Sequence, residues 1–306
     1  MHKSVLLNET IDNLNIIEDG IYVDATLGFG GHSGLILEKI KRGFLFAFDQ
    51  DDMAIEYSEK KLKEKGNNFE IIKSNFAYMK EELNKRNISK VDGIIFDLGV
   101  SSPQLDEGER GFSFHKDAKL DMRMDTSKEL SAYEVVNEYS YEDLVRILRD
   151  YGEEKYASSI AKNIVNVRET KKIETTLELV DIIKRSVPYS YSNDKHPARK
   201  TFQAIRIEVN NELEVLKIAL ESALDLIKVG GRVCVITFHS LEDRIVKDTF
   251  NKYSKVDSNL SKLPFIPEEY KPKYKIVANI SPSKEEIEEN NRSRSARLRV
   301  IERIKE

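Results

Sequence analysis

The sequence predicts an α/β protein with a mainly parallel sheet, into which a domain of helices is inserted. Strand-like apolar runs alternate with helical runs in the first third of the chain. The stretch from Gln104 to about Pro197 has no convincing strand pattern, and strand-like runs return after it. The first four strand-like runs are residues 21–25, 44–48, 69–72 and 93–96. Their alternation with helices implies right-handed crossovers and a ligand site at the carboxyl ends of the strands.

Helix signals fill the middle of the chain. Three segments have the capping-box pattern, in which a hydroxyl residue is followed three positions later by an acid. They begin at Ser131, Ser140 and Thr175. A long amphipathic helix is predicted over 198–227, ended by Gly230 and Gly231. Later strands are predicted at 232–238, 274–278 and 298–301. The predicted domains are 1–105 and 201–306, which form the α/β part, and 106–200, which is helical.

The composition is that of a globular protein, with 306 residues of which 40% are apolar and 33% charged. The single cysteine, Cys234, excludes an internal disulfide, and the first residues lack the apolar stretch of a signal peptide. No run reaches the roughly 18 apolar residues that a membrane span needs. We therefore expect a cytoplasmic protein without membrane contact. The net charge of −4 confines any nucleic-acid contact to local basic patches.

Residues 21–33 combine a short apolar strand, a glycine-rich turn and the start of a helix. Gly28, Gly30 and Gly31 lack a Cβ, so the backbone can turn sharply and a ligand can approach it closely. A dinucleotide-binding loop would have a third glycine at position 33, beside a pyrophosphate, but Ser33 stands there. The loop therefore suits an adenosyl ligand without a pyrophosphate better than NAD. The alternative is an ordinary strand-to-helix turn.

Two predicted strands are followed directly by an acid. Asp49 follows the second strand, where this fold holds ribose hydroxyls. The alternative is a helix cap, which is the role we expect for Asp51 and Asp52. Asp97 follows the fourth strand, which should lie beside the first, so its carboxylate would project towards the glycine loop. There it could accept hydrogen bonds from a substrate amino group; the alternative is a turn in which Asp97 caps backbone amides.

Three segments could contact a nucleic acid. Residues 110–124 contain Arg110, Phe112, Phe114 and Arg123, and such side chains can hold phosphates or stack on bases. The alternative is a hinge whose phenylalanines pack the two domains together. Basic clusters at 195–206 and 292–299 suggest phosphate contacts against the negative net charge, although charge runs are often solvated faces. Their candidate residues are Arg199, Arg206, Arg292 and Arg294.

Residues 239–243 follow the fifth predicted strand. Neighbouring side chains on a strand point to opposite faces, so His239 and Ser240 are poorly placed to act as base and nucleophile. His239 and Asp243 offer too few ligands for a metal site, and we expect no metal. We predict instead that Ser240 caps a helix, with Asp243 at its third position. Cys234, within an apolar strand, is predicted to be an inert core thiol.

Several long segments resemble one family. They include Asp24-Ala-Thr-Leu-Gly-Phe-Gly-Gly-His-Ser33, Asp97-Leu-Gly-Val-Ser-Ser-Pro-Gln-Leu-Asp106, and residues 2–7, 110–114, 120–124, 201–206, 238–244 and 292–296. Taken in chain order, these segments resemble the bacterial ribosomal RNA small subunit methyltransferase H family, also called MraW, over the whole chain. Ser4 stands where many relatives have proline.

The resemblance implies a class I, Rossmann-like methyltransferase that depends on S-adenosylmethionine and carries an inserted helical domain for substrate recognition. It implies methylation of the N4 amino group of cytidine 1402 of 16S rRNA in the small ribosomal subunit. We expect the amino nitrogen to attack the sulfonium methyl directly, with Asp97 as the catalytic residue. Methylation at carbon 5 of a pyrimidine would need a thiolate, which Cys234 does not suit. The implied cofactor contacts are Gly30, Gly31, His32, Asp49, Phe76, Asp97 and Gln104.

We expect arginines and two aromatic residues in several segments to bind the RNA substrate. The expected substrate-binding residues are Arg110, Phe112, Arg123, Arg199, Arg206, His239, Arg292 and Arg294. The rivals are an NAD-dependent dehydrogenase with the same glycine loop and a noncatalytic RNA-binding protein. The sequence does not decide between a monomer and a homodimer, or between free rRNA and an assembled subunit as substrate.

Overall fold

The computed structural model describes residues 4–100, 109–192, 196–256, 260 and 265–306. The chain divides into two compact units. Residues 1–99 and 213–306 form the first, which we call the α/β unit, and residues 100–212 form the second, which we call the helical unit. The predicted boundaries were residues 105 and 200. The two units meet at residues 99 and 100 and at residues 212 and 213, so the helix Arg199–Asn210 lies within the helical unit, and the predicted domain boundaries stay predictions.

The elements follow the predicted order. Before the helical unit lie α1 (Leu7–Leu14), β1 (Ile21–Asp24), α2 (Gly31–Lys39), β2 (Phe44–Asp49), α3 (Asp52–Lys63), β3 (Phe69–Lys73), α4 (Met79–Lys85) and β4 (Val91–Asp97). The helical unit contains α5 (Ala132–Glu138), α6 (Tyr141–Asp150), α7 (Ala157–Thr170), α8 (Thr176–Ser186) and α9 (Arg199–Asn210). After it come α10 (Glu212–Leu226), β5 (Ile227–Thr237), α11 (Ser240–Ser254), β6 (Tyr274–Ile280), α12 (Lys284–Glu289) and β7 (Arg297–Arg303). Across the described ranges, no helix is both long and apolar enough to cross a membrane.

The sheet has seven strands in the order β3-β2-β1-β4-β5-β7-β6. The pairs from β3 to β5 are parallel, whereas β7 runs antiparallel to both of its neighbours. This confirms the predicted Rossmann-like α/β sheet. The parallel pairing brings the carboxyl ends of β1, β2 and β4 to the same edge of the sheet, where this architecture binds its ligands.

Both faces of the sheet are buried. In β4, Ile94 and Phe96 belong to one core cluster, whereas Ile95 belongs to another. In β5, Val235 and Cys234 divide between the same two clusters. Because successive side chains of a strand point to opposite faces, the continuous apolar runs of these strands reflect a sheet that is covered on both sides.

The predicted single helix over 198–227 is wrong. It is two helices, α9 and α10, separated at Asn211, whose backbone is left-handed with φ of 51°. Asparagine tolerates this conformation better than most residues. The preceding Asn210 holds the end of α9 within the helical unit: its Nδ2 donates to the Met122 carbonyl at 2.9 Å, and its Oδ1 accepts from the Met124 amide at 2.8 Å.

The predicted helix end at Gly230 and Gly231 is also wrong. The helix ends at Leu226, and both glycines lie inside β5, which begins at Ile227. The pairing of β5 with β4 shifts register here, since Val91 pairs with Ile227 and Gly93 with Arg232. Gly230 has φ of 85°, so the glycines accommodate a bulge rather than a helix terminus.

The helical unit has its own core and follows the predicted capping signals. The capping boxes at Ser131 and Thr175 are complete, and the Ser140 side chain accepts from the Asp143 amide at the start of α6. Apolar residues of α5 to α9 share one buried cluster, to which Phe112 also belongs. Amphipathic helices that cover one another therefore stabilise this unit.

Candidate active site

The glycine loop leaves β1 through two residues with left-handed backbone. Gly28 has φ of 48° and Gly30 has φ of 68°, a conformation that favours glycine. Gly30 is the N-cap of α2. The nearest described atom to a Cβ on Gly28 would be the Thr26 carbonyl oxygen, at 3.8 Å. A ligand can therefore approach the backbone of this loop closely.

Helix α3 fixes the shape of the loop. The Ser58 hydroxyl donates to the Gly28 carbonyl at 2.6 Å, and the Lys61 ammonium donates to the Phe29 carbonyl at 2.9 Å. The Phe29 ring packs on Tyr57 of the same helix, with 4.9 Å between ring centroids. These hydrogen bonds could not be predicted from the sequence, because they depend on how α3 packs beside the loop.

Asp49, at the end of β2, joins this loop to the next. One carboxylate oxygen accepts from the Gly28 amide at 2.9 Å, and the other accepts from the amides of Gln50 and Asp51 at 2.8 and 2.9 Å. Burial raises the pKa of Asp49, although these hydrogen bonds act in the opposite direction. Each carboxylate oxygen can accept more than one hydrogen bond, so Asp49 can still bind a diol. Asp51 caps α3, as predicted, by accepting from the Met53 amide.

Asp97, at the end of β4, has a carboxyl group with unused hydrogen-bonding capacity. Its backbone amide donates to the Thr26 hydroxyl at 2.6 Å, which ties it to the turn after β1. Its Oδ1 is buried and has no hydrogen-bond partner among the residues that are described. Burial raises the pKa of Asp97 to about 8, and the negative charges of Asp24 and Glu242 act in the same direction. Within the described residues, these features favour a carboxyl group that faces a ligand over one that caps backbone amides.

His32 lies against Asp97. Its Nδ1 is 3.6 Å from Asp97 Oδ2, and only 4% of the residue is exposed. Burial lowers the pKa of His32 to about 4, so the ring is neutral near pH 7. The two side chains thus meet as neutral groups rather than as an ion pair, and 3.6 Å is too long for a hydrogen bond.

Asp24 is a site residue that the sequence reasoning missed. It ends β1, is 1% exposed, and accepts from the Ser33 hydroxyl at 2.6 Å and the Thr26 amide at 3.0 Å. Burial raises its pKa to about 6. The signal was available, because an acid ends β1 in the same way as Asp49 ends β2 and Asp97 ends β4.

The three acids decide which cofactor fits. A nearby positive charge stabilises the ionised form of a buried carboxyl group, whereas a nearby negative charge destabilises that form. S-Adenosylmethionine carries a sulfonium and an ammonium, whereas NAD carries a pyrophosphate. Ser33 fills the position of the third dinucleotide glycine and bonds to Asp24. The arrangement therefore fits S-adenosylmethionine and disfavours NAD.

Phe76 follows β3 at the same edge of the sheet. It begins a 3₁₀ turn that is capped by Asn75, whose Oδ1 accepts from the Ala77 amide at 2.8 Å. The half-buried Phe76 ring meets Phe96 edge to face, with 5.7 Å between centroids. It offers an apolar surface beside the loops of β1 and β2. Gln104, the remaining predicted cofactor contact, lies outside the described residues.

The predicted substrate-binding arginines divide into two groups. Arg199, Arg292 and Arg294 are exposed. Arg123 instead donates to the Asp121 carboxylate at 2.8 Å, and Arg206 forms two bonds with Glu212 at 2.8 and 2.9 Å. Such pairs hold a guanidinium in place, so we favour a structural role for the second group.

Arg110 and Phe112 belong to the internal structure of the helical unit. One Arg110 nitrogen donates to the carbonyls of Arg123 and Met124 at 2.6 and 3.0 Å. Phe112 is 5% exposed and lies in the core cluster of that unit. A buried ring cannot stack on a base, so this position favours packing.

The predicted helix cap at Ser240 is wrong by one residue. His239 is the N-cap of α11, and its capping-box partner is Glu242 rather than Asp243. Asp243 pairs instead with Arg299 of β7, at 2.7 and 2.9 Å. Cys234 is fully buried, and burial raises the pKa of its thiol to about 12, as expected for an inert core residue.

Comparisons with known proteins agree on one family. The model of the MraW methylase family matches residues 1–304. Ribosomal RNA small subunit methyltransferase H of Exiguobacterium sibiricum is 54% identical over 308 residues, covering 100% of this chain and 99% of the relative. The structure of an rRNA methylase from Streptococcus thermophilus is 14% identical with a TM-score of 0.45, covering 100% of this chain and 99% of that one. That last likeness is too low to support an argument. The family match and the full-length identity confirm that this chain belongs to the MraW methylase family and is a methyltransferase dependent on S-adenosylmethionine.

Proposed function

We propose that the protein transfers the methyl group of S-adenosylmethionine to the N4 amino group of cytidine 1402 of 16S rRNA, within the small ribosomal subunit. The observation that carries this proposal is the 54% identity, over the whole chain, to a relative named ribosomal RNA small subunit methyltransferase H. Such a reaction belongs in the cytoplasm, where that substrate is found. The residues of the candidate site support the same reaction.

The described residues that would hold the cofactor belong to the α/β unit. Bound S-adenosylmethionine supplies a methyl group on a positively charged sulfur. Asp49 would accept hydrogen bonds from the ribose hydroxyls, and Phe76 would provide apolar surface for the adenine. The loop from Gly28 to Gly31 would line the methionine part, because its backbone can be approached closely.

Asp97 would orient the acceptor. Its buried Oδ1 can accept a hydrogen bond from the N4 amino group and direct the nitrogen lone pair towards the methyl carbon. The positive cofactor would lower the pKa of Asp97, so that the carboxylate can also receive the proton that the amino group loses. Holding two reactants in near-attack geometry supplies roughly 7–11 kcal/mol of a barrier, without a covalent intermediate.

The decisive experiment measures labelled methyl transfer to small subunits and to free 16S rRNA that both lack the modification, followed by mapping of the nucleotide. We expect label at the N4 atom of cytidine 1402, with subunits as the better substrate. Label at another nucleotide, or none, would overturn the proposal. Thermal shifts with S-adenosylmethionine and with NAD test the dehydrogenase alternative, since only the first should stabilise the protein. A noncatalytic RNA-binding protein would leave the bound RNA unlabelled.

A further inference from the structure

A group of aromatic rings leads from the core of the helical unit to its surface. Phe202 of α9 is 3% exposed and meets Phe114 edge to face, with 5.7 Å between centroids. Phe114 stacks on His196 at 4.6 Å and an interplanar angle of 21°. His115 lies 4.5 Å from Phe114 and 5.2 Å from His196, and it is exposed. The inner rings therefore form a rigid base for the outer histidine.

The hydrogen bonding of His196 leaves it a donor nitrogen. Its Nδ1 accepts from the Ala198 amide at 3.3 Å, just before α9. In a neutral imidazole, the nitrogen that does not accept carries the hydrogen. The Nε2 of His196 is thus an N–H donor, which suits an anionic or carbonyl oxygen.

Positive charges surround this ring group. Burial lowers the pKa of His196, and the charges of His115 and of Lys184 on α8 act in the same direction. Arg199 and Lys200 begin α9, whose first turn has no acid. Cations at a helix N-terminus are opposed by the helix dipole, so helix stability does not account for them.

Among the described residues, the charges that shift the pKa of His196 are both positive. Asp117, two residues after His115, accepts from the Leu177 amide at 3.3 Å. Lys200 donates to the Glu153 carbonyl rather than to a carboxylate. Lys184, Arg199 and Lys200 thus place cations near His196 in a chain whose net charge is −4, and these cations can bind a phosphate.

We propose that Phe114, His115 and His196 form a nucleotide-binding platform for single-stranded RNA on the helical unit. His115 stacks on an unpaired base, His196 Nε2 donates to an adjacent phosphate, and Lys184 and Arg199 neutralise that phosphate. Sequence-specific RNA recognition targets such unstacked bases with aromatic and cationic side chains. The inference rests on the proposed function, because it names where the rRNA substrate contacts the helical unit.

This platform makes RNA binding dependent on pH. A phosphate beside His196 favours the charged ring and raises its pKa above the lowered value of the free protein. RNA binding therefore takes up a proton. The extra affinity is fully present below the pKa of the free ring and disappears as the pH rises through the pKa of the complex.

The test measures binding of the full chain to a fluorescent, single-stranded 16S rRNA fragment containing cytidine 1402, between pH 5.5 and 8. His115→Ala should weaken binding about tenfold, the size typical of one lost base stack. His196→Phe keeps a stacked ring but removes the proton, so its affinity should vary less with pH than that of the wild type. Tyr270→Ala, which removes an aromatic that is 51% exposed in the α/β unit, is the matched control and should leave binding unchanged.

Two further measurements separate the possible outcomes. An unchanged melting temperature and circular dichroism spectrum of each histidine variant would show that the helical unit, to which both substituted residues belong, is folded. Wild-type affinity of His115→Ala for the fragment, or an undiminished pH dependence in His196→Phe, would overturn the platform. If the wild type binds the fragment through the platform but never methylates rRNA, the proposed function fails while the platform stands.

Discussion

At the scale of single residues, Asp97 combines a functional position with a cost in stability. Its folded pKa of about 8 lies well above the ordinary value of 3.8, because the carboxyl is buried near other acids. The folded state therefore holds a proton that the unfolded chain has lost. The free energy of unfolding consequently falls as the pH rises from about 4 to about 8. A carboxylate that is poorly solvated interacts more strongly with a bound cation, so this cost in stability favours cofactor binding.

Asp97→Asn should raise stability and lower activity. The amide cannot ionise, so at pH 7 we expect a gain of about 1–3 kcal/mol in the free energy of unfolding, which disappears near pH 4. Methyl transfer should fall by about 10²-fold or more if the carboxylate takes the proton. Denaturant titration at both pH values and single-turnover kinetics measure the two effects. A loss of activity below about tenfold would mean that Asp97 only orients the amino group, since asparagine retains an acceptor oxygen.

Cofactor binding should release a proton from Asp97. The free carboxyl has a pKa of about 8, and the positive charge of the sulfonium lowers it. Affinity for S-adenosylmethionine should thus increase with pH up to about 8 and then level off. Calorimetry in buffers of different ionisation enthalpy counts the protons. Asp97→Asn is the control, and an equal proton release from this variant would assign the proton to another group.

At the scale of elements, regular patterns were predictable and local departures were not. The early parallel strands were found because apolar runs ending in acids mark them, as at Asp49 and Asp97. The break at Asn211 was missed because the apolar stripe continues across it from Val209 to Leu213. The left-handed backbone of Asn211 separates the two helices. The spacing of apolar residues does not reveal such a backbone conformation.

Site residues that act through tertiary hydrogen bonds were also missed. Thr26 matters because its hydroxyl accepts from the Asp97 amide, a contact between residues 71 positions apart. The cap of α11 is His239 rather than Ser240, although serine is the more common N-cap. The residue that caps α11 depends on where β5 ends. The residue preferences of helix caps do not determine the end of that strand.

Gly31, the first residue of α2, lies too close to Ser4 to accept a larger side chain without a shift. A Cβ on Gly31 would lie 1.9 Å from the Ser4 hydroxyl and 3.1 Å from its Cβ, so Gly31→Ala must displace the Ser4 side chain beside the glycine loop. We expect an affinity for S-adenosylmethionine lower by about three- to tenfold, since a small displacement of a binding loop weakens its contacts. Isothermal titration of the variant measures this change.

Gly34→Ala on the same helix is the matched control. Its Cβ would meet only the flexible Lys65 side chain at 3.2 Å among the described atoms, so this variant should bind the cofactor normally. Alanine should also stabilise the helix by up to about 1 kcal/mol. Ser4→Gly combined with Gly31→Ala removes both close contacts and should restore affinity. Failure of this double variant to recover would show that Gly31 is needed for another reason.

At the scale of the whole molecule, charge is distributed unevenly. Acids occupy the carboxyl edge of the sheet at Asp24, Asp49 and Asp97, which favours a cationic cofactor. Exposed arginines lie elsewhere, including Arg292 and Arg294 in the 3₁₀ turn before β7. In a chain with a net charge of −4, RNA affinity must come from such local groups rather than from a uniformly basic surface.

Replacing Arg292 and Arg294 by alanine should therefore reduce the salt dependence of RNA binding. Each arginine that contacts a phosphate releases counterions on binding, so the slope of log affinity against log salt should decrease in magnitude by about 0.7–1 per residue. Binding of a 16S rRNA fragment between about 50 and 200 mM salt measures this slope. Arg42→Ala is the control, since the exposed Arg42 precedes β2 and so lies at the opposite edge of the sheet from the cofactor site. An unchanged slope in the double variant, or an equal change per residue at Arg42, would identify the arginine turn as a solvated face and leave the helical unit as the source of phosphate contacts.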